Sequence, residues 1–224
     1  MRIHLVLYSN GEPFNSTKKK LIESINNFTN KEIIIHDYNL EKIKNLPWFT
    51  KLELLPNIKS QPTWAQRDGY YNCWKAFIVK DVYMTINDDD VLYYVDCSRY
   101  FKSGFTENID RLVDITLKEG IIAGSVGKNI SNLSNNNCNK LNVWNKIIAG
   151  INNQINLSKM HVLNSWFILK KNNINTKFIE EWTYWSIYKD NELTNPLIIY
   201  HHTVDQSIFN ILVIKYNFKV FYNE

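Results

Sequence analysis

The stretch VLYYVDCSRYF, residues 91–101, constrains the fold more than any other: five apolar or aromatic residues run straight into Asp96, Cys97, Ser98 and Arg99. A short continuous apolar run of this kind reads as a buried central strand. The segment before it, residues 64–86, is the longest helical candidate, with Tyr71, Trp74, Lys75, Ile78, Val82 and Thr85 recurring at spacings of three and four. A helix leading directly into a buried strand is an α/β unit. In open α/β sheets ligands bind beyond the carboxyl ends of the strands, so residues 96–99 stand where a ligand would be held.

The rest of the chain fits that unit. IHLVLYS at residues 3–9 reads as a first buried strand, a turn follows at 10–13, and a helix is expected over about 16–28, with Leu21, Ile22, Ile25 and Phe28 at helical spacing. EIIIHDY, residues 32–38, is a second strand, and strand, helix, strand at this spacing implies parallel strands joined by a crossover. A loop is expected around Pro47, Pro56 and Pro62. Beyond residue 101 the pattern predicts a helix over 108–118, a strand in GIIAGSVG at 120–127, an Asn-rich loop at 131–139 and a helix over 140–154. A strand at 161–172, a helix at 178–188, a polar knot at 201–206, a helix to about 216 and a last strand complete the reading. No repeat and no linker divides the 224 residues, which are read as one domain.

Composition narrows the function. Hydrophobic residues make up 45% of the chain, enough for a core, while a mean hydropathy of -0.32 excludes a membrane-dominated protein. No window has the apolar length of a membrane span, and MRIHLVLYSN turns polar too soon for a signal peptide. The expectation is a soluble, cytoplasmic protein. Cys73, Cys97 and Cys138 show no disulfide or zinc-ligand spacing and are read as reduced thiols. The net charge of +4 is scattered, which suits a pocket for a polyanionic small molecule better than a nucleic-acid surface. Asparagine occupies 31 positions, a bias that AT-rich coding explains most economically, so the five N-x-S/T matches are read as chance.

Three constellations carry chemistry. Asp96 and Ser98 end a buried strand, where oxygen ligands can take Mg2+ or Mn2+ and the cation can bridge nucleotide phosphates; the structural alternative is a turn-capping Asp. In RDGYYNCWKAFIVK, residues 67–80, Arg67, Tyr71, Trp74 and Lys75 fall on neighbouring helix faces, a set suited to phosphate and a flat base; the alternative is core aromatics beside solvated cations. HHTVDQSIFN places His201, His202, Asp205 and Gln206 ahead of an apolar helix. Asp205 is either a helix cap or a catalytic base, with a histidine positioned as a metal ligand. The acidic run 88–90 reads as a solvated turn without chemistry.

Taken together, these three segments resemble a nucleotide-sugar glycosyltransferase of the GT-A fold. The likeness lies in RDGYYNCWKAFIVK, in VLYYVDCS as the strand that ends in a DxD-type motif, in HVLNSWFILKKN followed by FIEEW, and in HHTVDQSIFN. It spans residues 67–209, and a narrower likeness is to small glycosyltransferase domains of large DNA viruses that decorate capsid glycans. The resemblance implies a mixed, mainly parallel Rossmann-like sheet flanked by helices, with a nucleotide-binding half at about 1–100 and an acceptor and sugar half at about 101–224. Tyr8 and Ser9 would lie near the base and ribose. Arg67, Trp74 and Lys75 would contact the donor, the two cations its diphosphate. Asp96 would sit near ribose and Mn2+ or Mg2+, with Ser98 and His202 as further metal ligands. Ser98 departs from the family pattern, which has a second acid there: either Ser98 binds the cation through its hydroxyl or through water, or His202 and Asp96 hold it, or metal dependence is weakened. Asn164, Ser165, Glu181 and Trp182 would line the sugar and acceptor pocket. Asp205 would be the catalytic residue, with Gln206 contacting donor sugar or acceptor and Glu180 and Glu181 in reserve. The partners implied are a nucleotide-sugar donor, with UDP-sugar favoured, and a glycan or glycoprotein acceptor. Inverting and retaining stereochemistry both remain open.

Two rivals share the fold. A sugar nucleotidyltransferase would carry a Gly-rich phosphate loop after the first strand, whereas YSNGEPFN has a single glycine. A degenerate module that binds glycan or nucleotide without turnover is kept open by Ser98, and turnover distinguishes it.

Overall fold

A computed structural model describes residues 1–25, 27, 29–53, 73–97, 109–129, 147, 160–187 and 204–222, with the backbone alone at 125–129, 160–164, 204–207 and 220–222. In chain order the described elements are β1 (Ile3–Tyr8), α1 (Phe14–Ile25), β2 (Ile33–Tyr38), α2 (Leu40–Lys44), α3 (Phe49–Glu53), α4 (Trp74–Thr85) and β3 (Val91–Val95). They continue as α5 (Ile109–Glu119), β4 (Ile121–Asn129), β5 (Met160–Lys170), α6 (Asn173–Ser186), α7 (Val204–Lys215) and β6 (Lys219–Tyr222).

The six strands form one sheet in the order β2-β1-β3-β5-β4-β6. β1 pairs in parallel with β2 and β3, and β4 with β6, while β5 runs antiparallel to both its neighbours. This is the mixed, mainly parallel α/β sheet expected from the sequence. Alternation along β1 and β3 sends Ile3, Leu5, Leu7, Val91, Tyr93 and Val95 to one face, where they pack with Leu21 and Ile25 of α1 and Ile109, Leu112 and Val113 of α5. Val6, Tyr8, Leu92 and Tyr94 face the other way, against α4, α6 and α7. Helices on both faces explain why β1 and β3 are buried throughout rather than alternating.

The reversal of β5 determines which loops meet. β5 starts beside the carboxyl end of β3, with Val95 opposite Trp166, and ends beside its start, with Val91 opposite Lys170. α6 then turns back, and α7 packs antiparallel on it: Phe178 meets Tyr216 and Phe218, and Trp182 meets Phe209. The first turn of α7 is therefore delivered to the edge where β1 and β3 end.

Several boundaries differ from expectation for local reasons. α6 begins at Asn173, five residues before Phe178, because the Asn172 side chain accepts from the Asn175 backbone N–H at 2.8 Å and caps it. The buried Asn175 amide donates to the carbonyls of Gly120 and Lys170, both at 2.7 Å, and ties the helix to the sheet. α5 ends at Gly120, whose φ of 89° suits a residue without Cβ. α2 and α3 occupy part of the stretch expected as loop, α2 capped by Asn39. The Asn-rich tract and, Ile147 apart, the helix expected at 140–154 lie outside the described residues.

One expectation is overturned. Asp90, read as part of a solvated turn, is 2% exposed and anchors the amino ends of β1 and β3. Its Oδ1 accepts from the Arg2 backbone N–H at 2.7 Å, and its Oδ2 from the Arg2 guanidinium at 2.9 Å and Asn87 at 3.2 Å. Nε2 of His4 lies 3.3 Å from Oδ2, and Nδ1 of His4 lies 2.9 Å from Nε2 of His36 on β2. Burial pushes the Asp90 carboxyl up, but the hydrogen bonds from Arg2 and His4 outweigh it and hold it well below the usual carboxylate range. Arg2 is 88 positions away in sequence, so only strand pairing reveals the partner.

Candidate functional site

Asp96 follows the last residue of β3, and its backbone N–H donates to the Ser165 carbonyl at 2.8 Å. Two residues apart on a strand means the same face, so Tyr94 and Asp96 both turn toward α4. The Tyr94 hydroxyl donates to Asp96 Oδ1 at 2.7 Å. Lys75, in the first turn of α4, places its Nζ 3.2 Å from the same oxygen and 5.1 Å from the Tyr94 ring centroid. The Lys75 side chain is 5% exposed and that of Asp96 29% exposed, so the pair spans the boundary between core and solvent. Oδ2 of Asp96 accepts from none of the described residues. The site is thus a carboxylate fixed on one side and open on the other, beside a buried ammonium.

Around it lie the other donor-side candidates. Tyr8, at the end of β1, stacks on Trp74 with ring centroids 3.7 Å apart and planes 27° apart. Both rings are nearly buried. Ser9 donates to the Asn15 side chain at 2.7 Å, while its backbone N–H reaches the Tyr38 carbonyl, which pins the exit of β1 to β2. Cys97 is buried, and burial pushes its thiol up to about 12 against the opposing effect of Lys18, which makes it a poor nucleophile. The structure therefore brings together Tyr8, Ser9, Trp74, Lys75 and Asp96 at one sheet edge.

The acceptor-side residues divide. Asn164 and Ser165 sit where β5 bulges, since Ala123 pairs with Phe167 but Gly124 with Leu163. Bulges next to strand ends re-aim side chains. The Ser165 hydroxyl is buried and finds no hydrogen-bond partner among the described residues. At Gly124 the indole of Trp166 lies where a Cβ would be, with Cε2 only 2.7 Å from that position. Glu181 and Trp182 are engaged elsewhere. Glu181 accepts from Lys215 at 2.7 Å and Tyr216 at 2.9 Å. Trp182 is fully buried among Phe167, Phe178 and Phe209. Asp205 and Gln206 belong to the first turn of α7, on the same sheet edge by chain direction. Arg67, Ser98 and His202 lie outside the described residues. Tyr94 is the residue that sequence reading missed, although its i, i+2 relation to Asp96 was visible in VLYYVD.

Among the described residues, no group of three or more His, Cys, Asp or Glu side chains could hold a metal ion. The Asp96 oxygen turned toward the core already faces an ammonium. Of the residues expected to hold a divalent cation, Asp96 alone is described, since Ser98 and His202 lie outside the described residues. No helix among the described residues is long and apolar enough to cross a membrane.

No family model matches the chain, and no curated protein matches it. Solved structures do. Mouse xyloside xylosyltransferase 1, in its apo form, superposes with a TM-score of 0.54 at 8% identity over 100% of this chain and 86% of that one. The chain has a GT-A-like fold. The galactosyltransferase LgtC in complex with donor and acceptor sugar analogues aligns at a TM-score of 0.45 and 12% identity, over 99% of this chain and 73% of that one. At these identities the likeness is one of fold, in which Asp96 ends a central strand of a GT-A-like sheet.

Proposed function

We propose that this chain is a glycosyltransferase that moves a sugar from a nucleotide-diphosphate donor, UDP-sugar favoured, to a glycan or glycoprotein acceptor. The observation that carries the reading is Asp96: a half-open carboxylate at the carboxyl end of β3, clamped by Lys75 and Tyr94, in a GT-A-like sheet. In such sheets the strand ends form the ligand crevice.

In this reading the base and ribose lie against Tyr8, Ser9 and Trp74, and the open oxygen of Asp96 accepts from the ribose. Transfer breaks the bond between the anomeric carbon and the diphosphate oxygen. The charge that develops on the leaving diphosphate is met by Lys75 and Arg67. Asp205, at the start of α7, takes the proton of the acceptor hydroxyl as it attacks, and Gln206 orients donor sugar or acceptor. Asn164 and Ser165 remain the candidates for the sugar pocket. Glu181, which holds Lys215 and Tyr216, and Trp182 in the core support that wall from behind. The Mn2+ or Mg2+ implied by the family resemblance finds no ligand cluster among the described residues, and no step here depends on it.

The test is nucleoside diphosphate release from a panel of UDP- and GDP-sugars, with and without glycan acceptors. Wild-type protein is expected to consume one donor in an acceptor-dependent way. Asp96→Ala and Asp205→Ala are each expected to lower that rate by about a hundredfold or more. Wild-type rates in both variants would sink the site assignment. Glycan binding without consumption of any donor would favour the degenerate module.

A further inference from the structure

β2 ends the described sheet and has β1 on one side. The Ile3 N–H donates to the Glu32 carbonyl and the Ser9 N–H to the Tyr38 carbonyl, and the parallel register between the two strands is unbroken from Ile33 to Tyr38. In such a ladder alternate residues face the neighbouring strand. Glu32, Ile34, His36 and Tyr38 therefore turn their backbone groups toward β1, and Ile33, Ile35 and Asp37 turn theirs outward. Among the described residues, the outward Asp37 carbonyl accepts from Lys42 Nζ at 2.7 Å, whereas the N–H and C=O groups of Ile33 and Ile35 meet no partner. Ile35 is 40% exposed, and Glu32 and Asp37 are exposed as well. Three consecutive isoleucines without proline, glycine, bulge or charge between them lack the devices that keep an edge strand from pairing.

We propose that β2 pairs with β2 of a second copy of this chain, antiparallel about a two-fold axis through Ile34, so that two sheets become one. The inference is independent of the nucleotide-sugar reading. With Ile34 on the axis, Ile33 of each copy faces Ile35 of the other, and each such pair exchanges two backbone hydrogen bonds. That engages every outward group of the two isoleucines. Ile34 meets its own counterpart, Glu32 faces His36 and Lys31 faces Asp37, so every facing pair is apolar or joins an acid to a base. Within one copy Lys31 lies 3.7 Å from Asp110, and Asp37 lies 2.6 Å from Lys18. Across the axis these ion pairs join into a row of alternating sign, Asp110, Lys31, Asp37 and Lys18. Centring the axis on Ile35 would instead set Ile33 against Asp37 and Ile34 against His36. Because the paired strands run in opposite directions, the two Asp96 sites open at opposite edges of the joined sheet and stay accessible.

Sedimentation velocity of the whole chain tests this. Wild type is expected to shift from monomer to dimer as its concentration rises to about 100 μM, the range of a small interface. Ile35→Pro removes only an outward N–H, since that residue donates nothing to β1, and should keep the far-UV circular dichroism while staying monomeric. Should that variant not fold, Ile35→Lys, a charge at an exposed edge position, is expected to be monomeric in its place. Oxidation reads the register. Ile34→Cys should form a disulfide-linked dimer that Ile35→Cys does not, because a non-hydrogen-bonded pair on the axis brings its Cα atoms to about 4.5 Å. Wild type that stays monomeric up to that concentration would overturn the proposal and leave the edge to a different partner. A dimer that survives in a folded Ile35→Pro or Ile35→Lys variant would overturn it too, by placing the interface elsewhere. Linkage of Ile35→Cys in preference to Ile34→Cys would overturn the register.

Discussion

At its amino end β3 is anchored by Asp90, which takes hydrogen bonds on both oxygens from Arg2, His4 and Asn87; at its carboxyl end it delivers Asp96, which takes them on one. The two carboxylates are separated by the five residues of one strand. Asp90 has a side chain 3% exposed, Asp96 one 29% exposed. A buried carboxylate with both oxygens engaged and almost no exposed surface contributes to folding and is closed to a ligand. A carboxylate held rigidly by half has kept an acceptor in reserve, which is how a binding group is pre-organised.

The contrast can be broken by exchanging each acid for its amide. Asp90→Asn removes the charge from a closed network and is expected to lower stability by roughly 2–3 kcal/mol in urea unfolding. Asp96→Asn keeps an acceptor for Tyr94 and Lys75, and should cost less than about 1 kcal/mol of stability while abolishing most nucleotide binding. Equal stability losses for the two would erase the distinction. Tyr94→Phe sharpens it further: the ring stays, the clamp on Oδ1 goes, and nucleotide affinity should drop about three- to tenfold with the melting temperature nearly unchanged.

The smallest effect belongs to pH at the closed end. Burial, then the neighbouring His4 and Lys42, lower His36 to about 4 from its ordinary 6.5, with Asp81 opposing. The unfolded chain therefore takes up a proton first, and stability contributed by neutral His36 is lost as pH falls from about 6.5 toward about 4. After discounting for solvent screening of a partly exposed ring, the loss should be about 1 kcal/mol. His36→Gln should flatten that part of the curve, and an unchanged slope would show that other groups carry it.

What the sequence disclosed follows the same division. β1, β2 and β3 were legible because their apolar runs are bounded by turns, and Asp96 because it ends such a run. The start of α6 was not, since NINTK is polar and its helicity depends on the cap from Asn172 and the buried amide of Asn175. Asp90 looked like a solvated turn because three acids in a row usually are; what buries it is a partner 88 residues distant. Glu181 and Trp182 were assigned to the pocket wall by family resemblance, and no local signal showed that α6 packed on α7 gives Glu181 the partners Lys215 and Tyr216 and sets Trp182 against Phe209. Local signals report strands and their ends; which side chain answers which is decided by packing between distant segments.

Gly124 adds a consequence for anyone mapping this chain by saturation mutagenesis. The Trp166 indole fills the space any side chain there would need, and Trp166 pairs with Val95, the residue before Asp96. A screen scored on activity would mark Gly124 as intolerant as the acid it never touches, and a naive reading would promote it to the reaction centre. Thermal melts would separate the two, because replacements at Gly124 should lose the fold, whereas those at Asp96 should lose the ligand.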